Sequence, residues 1–169
     1  MDDLPHYIPI AFALLVVLSI AWFFFASKSK ELLIIIFAWT LIQGLIGATG
    51  FYTNTEVMPP RIMFLGLFPA LIMLVTCAFT AKGRKWLDQM NLQRLTYFHS
   101  IRIAVEVVLA LLVMHQVISK YMSVEGTNFD VLSGLSAPLV AWIAFRAGKV
   151  NCALLLGWNI IACLLLLNV

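Results

Sequence analysis

From Tyr7 to Ser27 the chain runs without one charged side chain. A helix of about 20 apolar residues is what the ~30 Å hydrocarbon core of a bilayer requires, so this stretch reads as a membrane span. Further apolar segments follow, giving six spans at about 7–27, 32–52, 62–81, 97–118, 129–145 and 150–169. Of the 169 residues, 63% are hydrophobic and 11% charged, against about 25% charged in a soluble domain. That composition excludes a water-soluble monomer, and the short loops leave no room for a second domain. The expected fold is all-α: one integral-membrane helix bundle over residues 1–169, with the lipid bilayer as its main partner. The fifth segment is the shortest and carries Gly134 and Pro138 between Asp130 and Arg146, so it reads either as a tilted span or as a re-entrant piece.

Orientation follows from the basic residues, which are retained on the cytoplasmic side. With six spans and the N-terminus outside, the inner loops hold Lys28, Lys30, Lys82, Arg84, Lys85, Arg94, Arg146 and Lys149, and the outer loops hold Arg61 and Lys120. Asp2 and Asp3 precede the first apolar run and Lys28 and Lys30 follow it, the reverse of a secretory signal, so the run is expected to stay as a helix. The net charge of +3 sits at helix ends and forms no patch for nucleic acid. Cys77, Cys152 and Cys163 lack C-x-x-C spacing and read as small apolar side chains, with neither a disulfide framework nor a metal site implied.

An ionisable group inside hydrocarbon is costly, by about 2.5 to 3.5 kcal/mol on insertion scales, and is therefore a functional candidate. The fourth segment has a cluster of them. At ~100° per residue, His99, Arg102 and Glu106 fall within about 60° of arc, and the i,i+4 spacing lets Arg102 neutralise Glu106. Gln43, with Thr40, Gly44 and Gly47 on its face, lies near the middle of the second segment, and Asn159 lies near the middle of the sixth. A bundle that brought them together would let both amides donate to the Glu106 carboxylate. The competing reading is that these polar groups only hold the helices in register.

Two prolines add a second feature. Pro69 and Pro138 each remove a backbone hydrogen bond and free a carbonyl that a neighbour, water or substrate must satisfy. Small residues share the face of each helix: Gly66, Pro69, Ala70 and Met73 in the third, and Asp130, Ser133, Gly134, Ala137 and Ala141 in the fifth. The most specific local string is Glu125-Gly126-Thr127-Asn128-Phe129-Asp130, expected on the outer side. Thr127 and Asp130 have capping-box spacing, which would start the fifth helix, while Glu125, Asn128 and Asp130 offer oxygen ligands for a hard cation or an amine. No EF-hand, P-loop, H-E-x-x-H or G-x-S-x-G pattern occurs. His6 and His115 do not form a two-helix haem pair, no Lys lies mid-helix for a Schiff base, and no cofactor is expected.

The stretch from Phe98 to Pro138 resembles a group of small uncharacterised bacterial polytopic membrane proteins. It carries their R-x-x-V-E helix (Arg102 to Glu106), then E-G-x-N-F-D (Glu125 to Asp130) and G-L-x-A-P (Gly134 to Pro138). The resemblance implies a multi-pass protein of the bacterial inner membrane and a chain that continues beyond a sixth helix; it implies no activity. Three functions stay open. The first is a carrier for a small solute, proton or cation with Glu106 as the titrating group and Arg102 as counter-charge. The second is a non-catalytic membrane subunit or assembly scaffold, working as a homo-oligomer or with a membrane partner. The third is an intramembrane enzyme using Glu125, Asp130 and His115 at the outer face.

Overall fold

The computed structural model describes residues 4–53, 60–124, 126, 128–146 and 148–167. Those residues are helical with no strand among them. The helices are α1 (Tyr7–Ser27), α2 (Lys30–Ala48), α3 (Phe68–Phe79), α4 (Ala81–Asp88), α5 (Leu92–Phe98), α6 (Ile101–Met114), α7 (Val131–Phe145) and α8 (Cys152–Leu167). Three are long and apolar enough to cross a membrane: α1, α2 and the continuous pair α5–α6, Leu92–Met114. Met63–Phe79 together with α4 passes the same test but is bent by 87°. Ile10, Leu14 and Val17 of α1 are each more than half exposed, as are Ile34, Phe37 and Leu41 of α2. Apolar surface on that scale is stable in lipid and not in water.

The chain forms two compact units, Met1–Phe23 with Leu92–Val169, and Phe24–Asn91. In the first, α7 is the central helix. It packs against α5, α6 and α8, and its buried face of Ser133, Gly134, Ala137, Val140, Ala141 and Ala144 is the small-residue face expected from the sequence. Small side chains there let backbones approach: a Cβ on Gly134 would lie 3.2 Å from the His99 carbonyl and 3.2 Å from Arg102 Cβ. Val140, Ala144 and Leu155 form the apolar centre, with Phe145, Leu154 and Trp158 around them. Helix α1 runs antiparallel to α5–α6, since Trp22 Nε1 donates to the Arg94 carbonyl at 3.1 Å while Tyr7 stacks edge-on against His115.

The fourth predicted span begins five residues earlier than the periodicity suggests and is not one uniform helix. His99, Ser100, Arg102 and Ile103 each donate their N–H three residues back, so the chain tightens to 3₁₀ geometry between α5 and α6. Beyond α6 the chain doubles back. Arg102 pairs with Asp130, which sits at the start of α7, and Arg102 is twelve residues before Met114, about 18 Å along the axis. Helix α7 thus starts beside Arg102 and covers that end of α6, while Lys120–Met122, Val124 and Asn128 lie beside α6 further along.

In the second unit, Ser29 caps α2 through the Leu32 N–H, and Gly50 at φ +73° turns the chain after Ala48. The third predicted span opens with a π-helical turn, Met63–Leu67, just before Pro69. It ends at Phe79, because Thr80 adopts an extended backbone and caps α4 through the Gly83 N–H at 3.1 Å. Helix α4 was unforeseen; the sequence reading left Lys82, Arg84 and Lys85 in a loop. The elbow has no space for a side chain at Gly83, whose Cβ would fall 2.3 Å from the Cys77 backbone. Gly83→Ala is expected to force the elbow open and cost about 1–3 kcal/mol, read as a lowered midpoint of thermal unfolding in detergent; an unchanged midpoint would contradict the packing described.

Candidate functional site

In unit one, Arg102, Ser133, Asp130, Asn128 and Glu106 form a single connected chain of contacts. Arg102 reaches across to α7, pairing with the Asp130 carboxylate and donating to Ser133 Oγ at 3.0 Å. Both charged side chains are largely buried, at 19% and 14% exposed. Ser133 Oγ donates to the Asp130 carbonyl at 2.6 Å, and the Asp130 N–H donates to Asn128 Oδ1 at 3.0 Å. Asn128, buried, uses its amide N–H groups for the Met122 carbonyl at 2.9 Å and for Glu106 Oε2 at 3.5 Å. Glu106 Oε1 accepts the backbone N–H of Val124 at 2.7 Å.

The helix-four cluster and the outer-loop string, two separate expectations from sequence, are therefore one site. The pairing inside it differs from the expectation. Arg102 neutralises Asp130 and not Glu106, for two physical reasons. A basic residue four positions before an acidic one is the weaker order for an intrahelical pair. The guanidinium also finds two acceptors on α7, which its fork can engage together. Glu106 is left for the loop, where its carboxylate meets the Val124 N–H and the Asn128 amide.

The two amides expected to serve Glu106 are occupied elsewhere. Asn159 donates to the Leu155 carbonyl of its own helix at 2.8 Å. Gln43 donates to the Leu65 carbonyl at 2.8 Å and accepts from Tyr52 Oη at 2.5 Å. Leu65 is four residues before Pro69, so its carbonyl is the one that proline strips of a partner. Gln43 is the neighbour that satisfies it. His99 lies edge-on to Trp158, ring centres 4.8 Å apart, while Trp158 Nε1 donates to Ser136 Oγ at 2.9 Å. Among the described residues, His99 Nδ1 and Ser100 Oγ are buried without a hydrogen-bond partner, both at the 3₁₀ break.

Of the outer-loop candidates, Asn128 and Asp130 are in the site; Glu125 and Thr127 lie outside the described residues. Helix α7 does begin after Asp130, but the carboxylate makes no cap and serves Arg102 instead. His115 is not brought to Asp130: it ends α6, its ring nitrogen lies 2.9 Å from the Leu111 carbonyl, and thirteen residues, about 20 Å of helix, separate it from Arg102. The sequence reading missed Tyr52, the Val124 N–H and Trp158 as members of these networks, and it took Ser133 only as a packing residue. Only Ser133 had a signal, sharing the Asp130 face one turn on.

The fold and these buried polar contacts are those of a helical membrane protein. Comparison with protein-family models, curated proteins and solved structures gives no match.

Two double-mutant cycles test the pairing. Arg102→Leu with Asp130→Leu is expected to show about 1–3 kcal/mol of coupling in unfolding free energy, and Arg102→Leu with Glu106→Gln a clearly smaller coupling; the reverse ranking would restore the intrahelical pair. Gln43→Leu should lower thermal stability in detergent more when Pro69 is present than in the Pro69→Ala background, where residue 69 regains its N–H for Leu65 and only the Tyr52 bond is lost. Equal losses in both backgrounds would contradict the assignment of Gln43.

Proposed function

We propose that the chain is a non-catalytic integral membrane protein, a subunit or assembly scaffold, that crosses a bacterial inner membrane six times with its N-terminus outside. The eight-to-two division of loop Lys and Arg residues supports the orientation. The observation that carries the functional reading is that three side chains of the polar seam are spent on the chain's own groups: Arg102 on Asp130 and Ser133, Glu106 on Val124 and Asn128, Gln43 on Tyr52 and Leu65. A carrier must hand its buried polar groups from one partner to another as it turns over, whereas a scaffold needs them permanently satisfied. Here the carboxylate and the ion pair bind Val124, Asn128 and Asp130 to α6, which fixes the surface that a partner would meet.

One observation favours the carrier as a second reading. Among the described residues, Glu106 receives two N–H donors and no cationic side chain, so the site holds one more negative than positive charge. A proton or a small cation could balance it.

Reconstituted vesicles separate the two. The scaffold reading expects no proton or monovalent-cation uptake above empty vesicles for the wild-type protein, and a Glu106→Gln variant that loses about 1–3 kcal/mol of stability and changes no flux. Uptake driven by a pH gradient and abolished by Glu106→Gln would assign the protein as a carrier.

A further inference from the structure

Helix α8 presents Cys152, Leu156, Asn159 and Cys163 along one side. Their 4-3-4 spacing confines them to about 60° of arc, the seam spacing of two packed helices. All four are exposed, Leu156 at 64%. Asn159 sits at the middle of this seam, and among the described residues its one hydrogen bond is the N–H to the Leu155 carbonyl. Its carbonyl oxygen and second N–H remain. Cys152, Leu156 and Asn159 themselves line an open groove of about 590 Å³, whose other walls include Phe23, Leu95, Phe98 and His99. If α8 crosses the bilayer, as the proposed function holds, an amide facing acyl chains has nothing to bond to.

We infer that this face of α8 binds the same face of a second copy of this chain. Electrostatic complementarity selects that occupant. A side-chain amide offers one donor and one acceptor, so it is complementary to itself across a two-fold axis, where each Asn159 can donate to the other. An acyl chain in the groove would leave both groups unmet. Copies inserted in the same orientation are related by an axis along the membrane normal, so the two α8 helices run parallel and identical residues face each other. Cys163 then meets Cys163 one turn from the paired amides. The groove gives room for the apolar side chains of the opposite helix.

The native cysteines make this testable in sealed vesicles. A variant keeping only Cys163 (Cys77→Ser, Cys152→Ser) is expected to form a disulfide-linked dimer on copper-phenanthroline oxidation, and a variant keeping only Cys77 to stay monomeric on a non-reducing gel. In detergent, light scattering should give a dimer for the wild type. Asn159→Leu removes both reciprocal bonds and should weaken it roughly tenfold to several-hundredfold, the range for two interhelical hydrogen bonds, and Asn159→Gln should preserve it. A wild-type monomer at all concentrations, or a dimer indifferent to Asn159→Leu, would overturn the inference. So would a monomer that retains a lipid lost in Asn159→Leu. Labelling of Cys163 by a membrane-impermeant maleimide would instead remove α8 from the bilayer and overturn the six-span reading along with the dimer; a protected Cys163 in a monomeric protein overturns the dimer alone.

Discussion

Hydrocarbon supplies neither hydrogen-bond donors nor acceptors, and the contacts of Glu106 and Gln43 answer that constraint. A backbone segment that leaves helical geometry at membrane depth must find its partners within the protein. Ser123 and Val124, beside Glu106 of the span-length helix Leu92–Met114, are residues of such a segment. Their path beside α6 exposes the Val124 N–H, and the side chain that meets it is Glu106. The cost of a carboxylate in a span and the cost of an unsatisfied loop amide are both reduced by the same contact. The Arg102 and Asp130 pair completes the attachment by joining the last residue before α7 to the same face of α6.

The same logic operates in the second unit with neutral groups. Pro69 leaves the Leu65 carbonyl without its helical donor, the π-helical turn at Met63–Leu67 displaces the local backbone, and the Gln43 amide bridges the gap while Tyr52 holds its other end. In both units, a polar side chain that looks like a binding site when its own helix is considered alone turns out to complete the hydrogen bonding of an adjacent irregular segment.

That contrast explains what was legible in the sequence. Helix α1 matches its expected bounds because an uninterrupted apolar run between charged flanks fixes a helix by length alone. The small-residue face of α7 and the residues of the polar seam were also visible, since helical periodicity says which side chains share a side. Periodicity within one helix says nothing about what lies opposite. The choice of Asp130 over Glu106 as the partner of Arg102 depends on the chain doubling back after Met114, and the role of Glu106 depends on which loop amide that path leaves open. The tightening at His99 and Ser100 and the elbow at Thr80 have the same character: none of the three residues is a helix breaker by type, and the close approach of α7 at Gly134 and the Thr80 cap at Gly83 appear only in three dimensions.

The central claim is that Glu106 holds a loop at membrane depth, and amide hydrogen exchange at Val124 measures it most directly. In lipid nanodiscs the account predicts a slowly exchanging Val124 N–H in the wild type and fast exchange in Glu106→Ala, with the helical amides of α1 unchanged as reference. Fast exchange at Val124 in the wild type, or protection that survives Glu106→Ala, would contradict it.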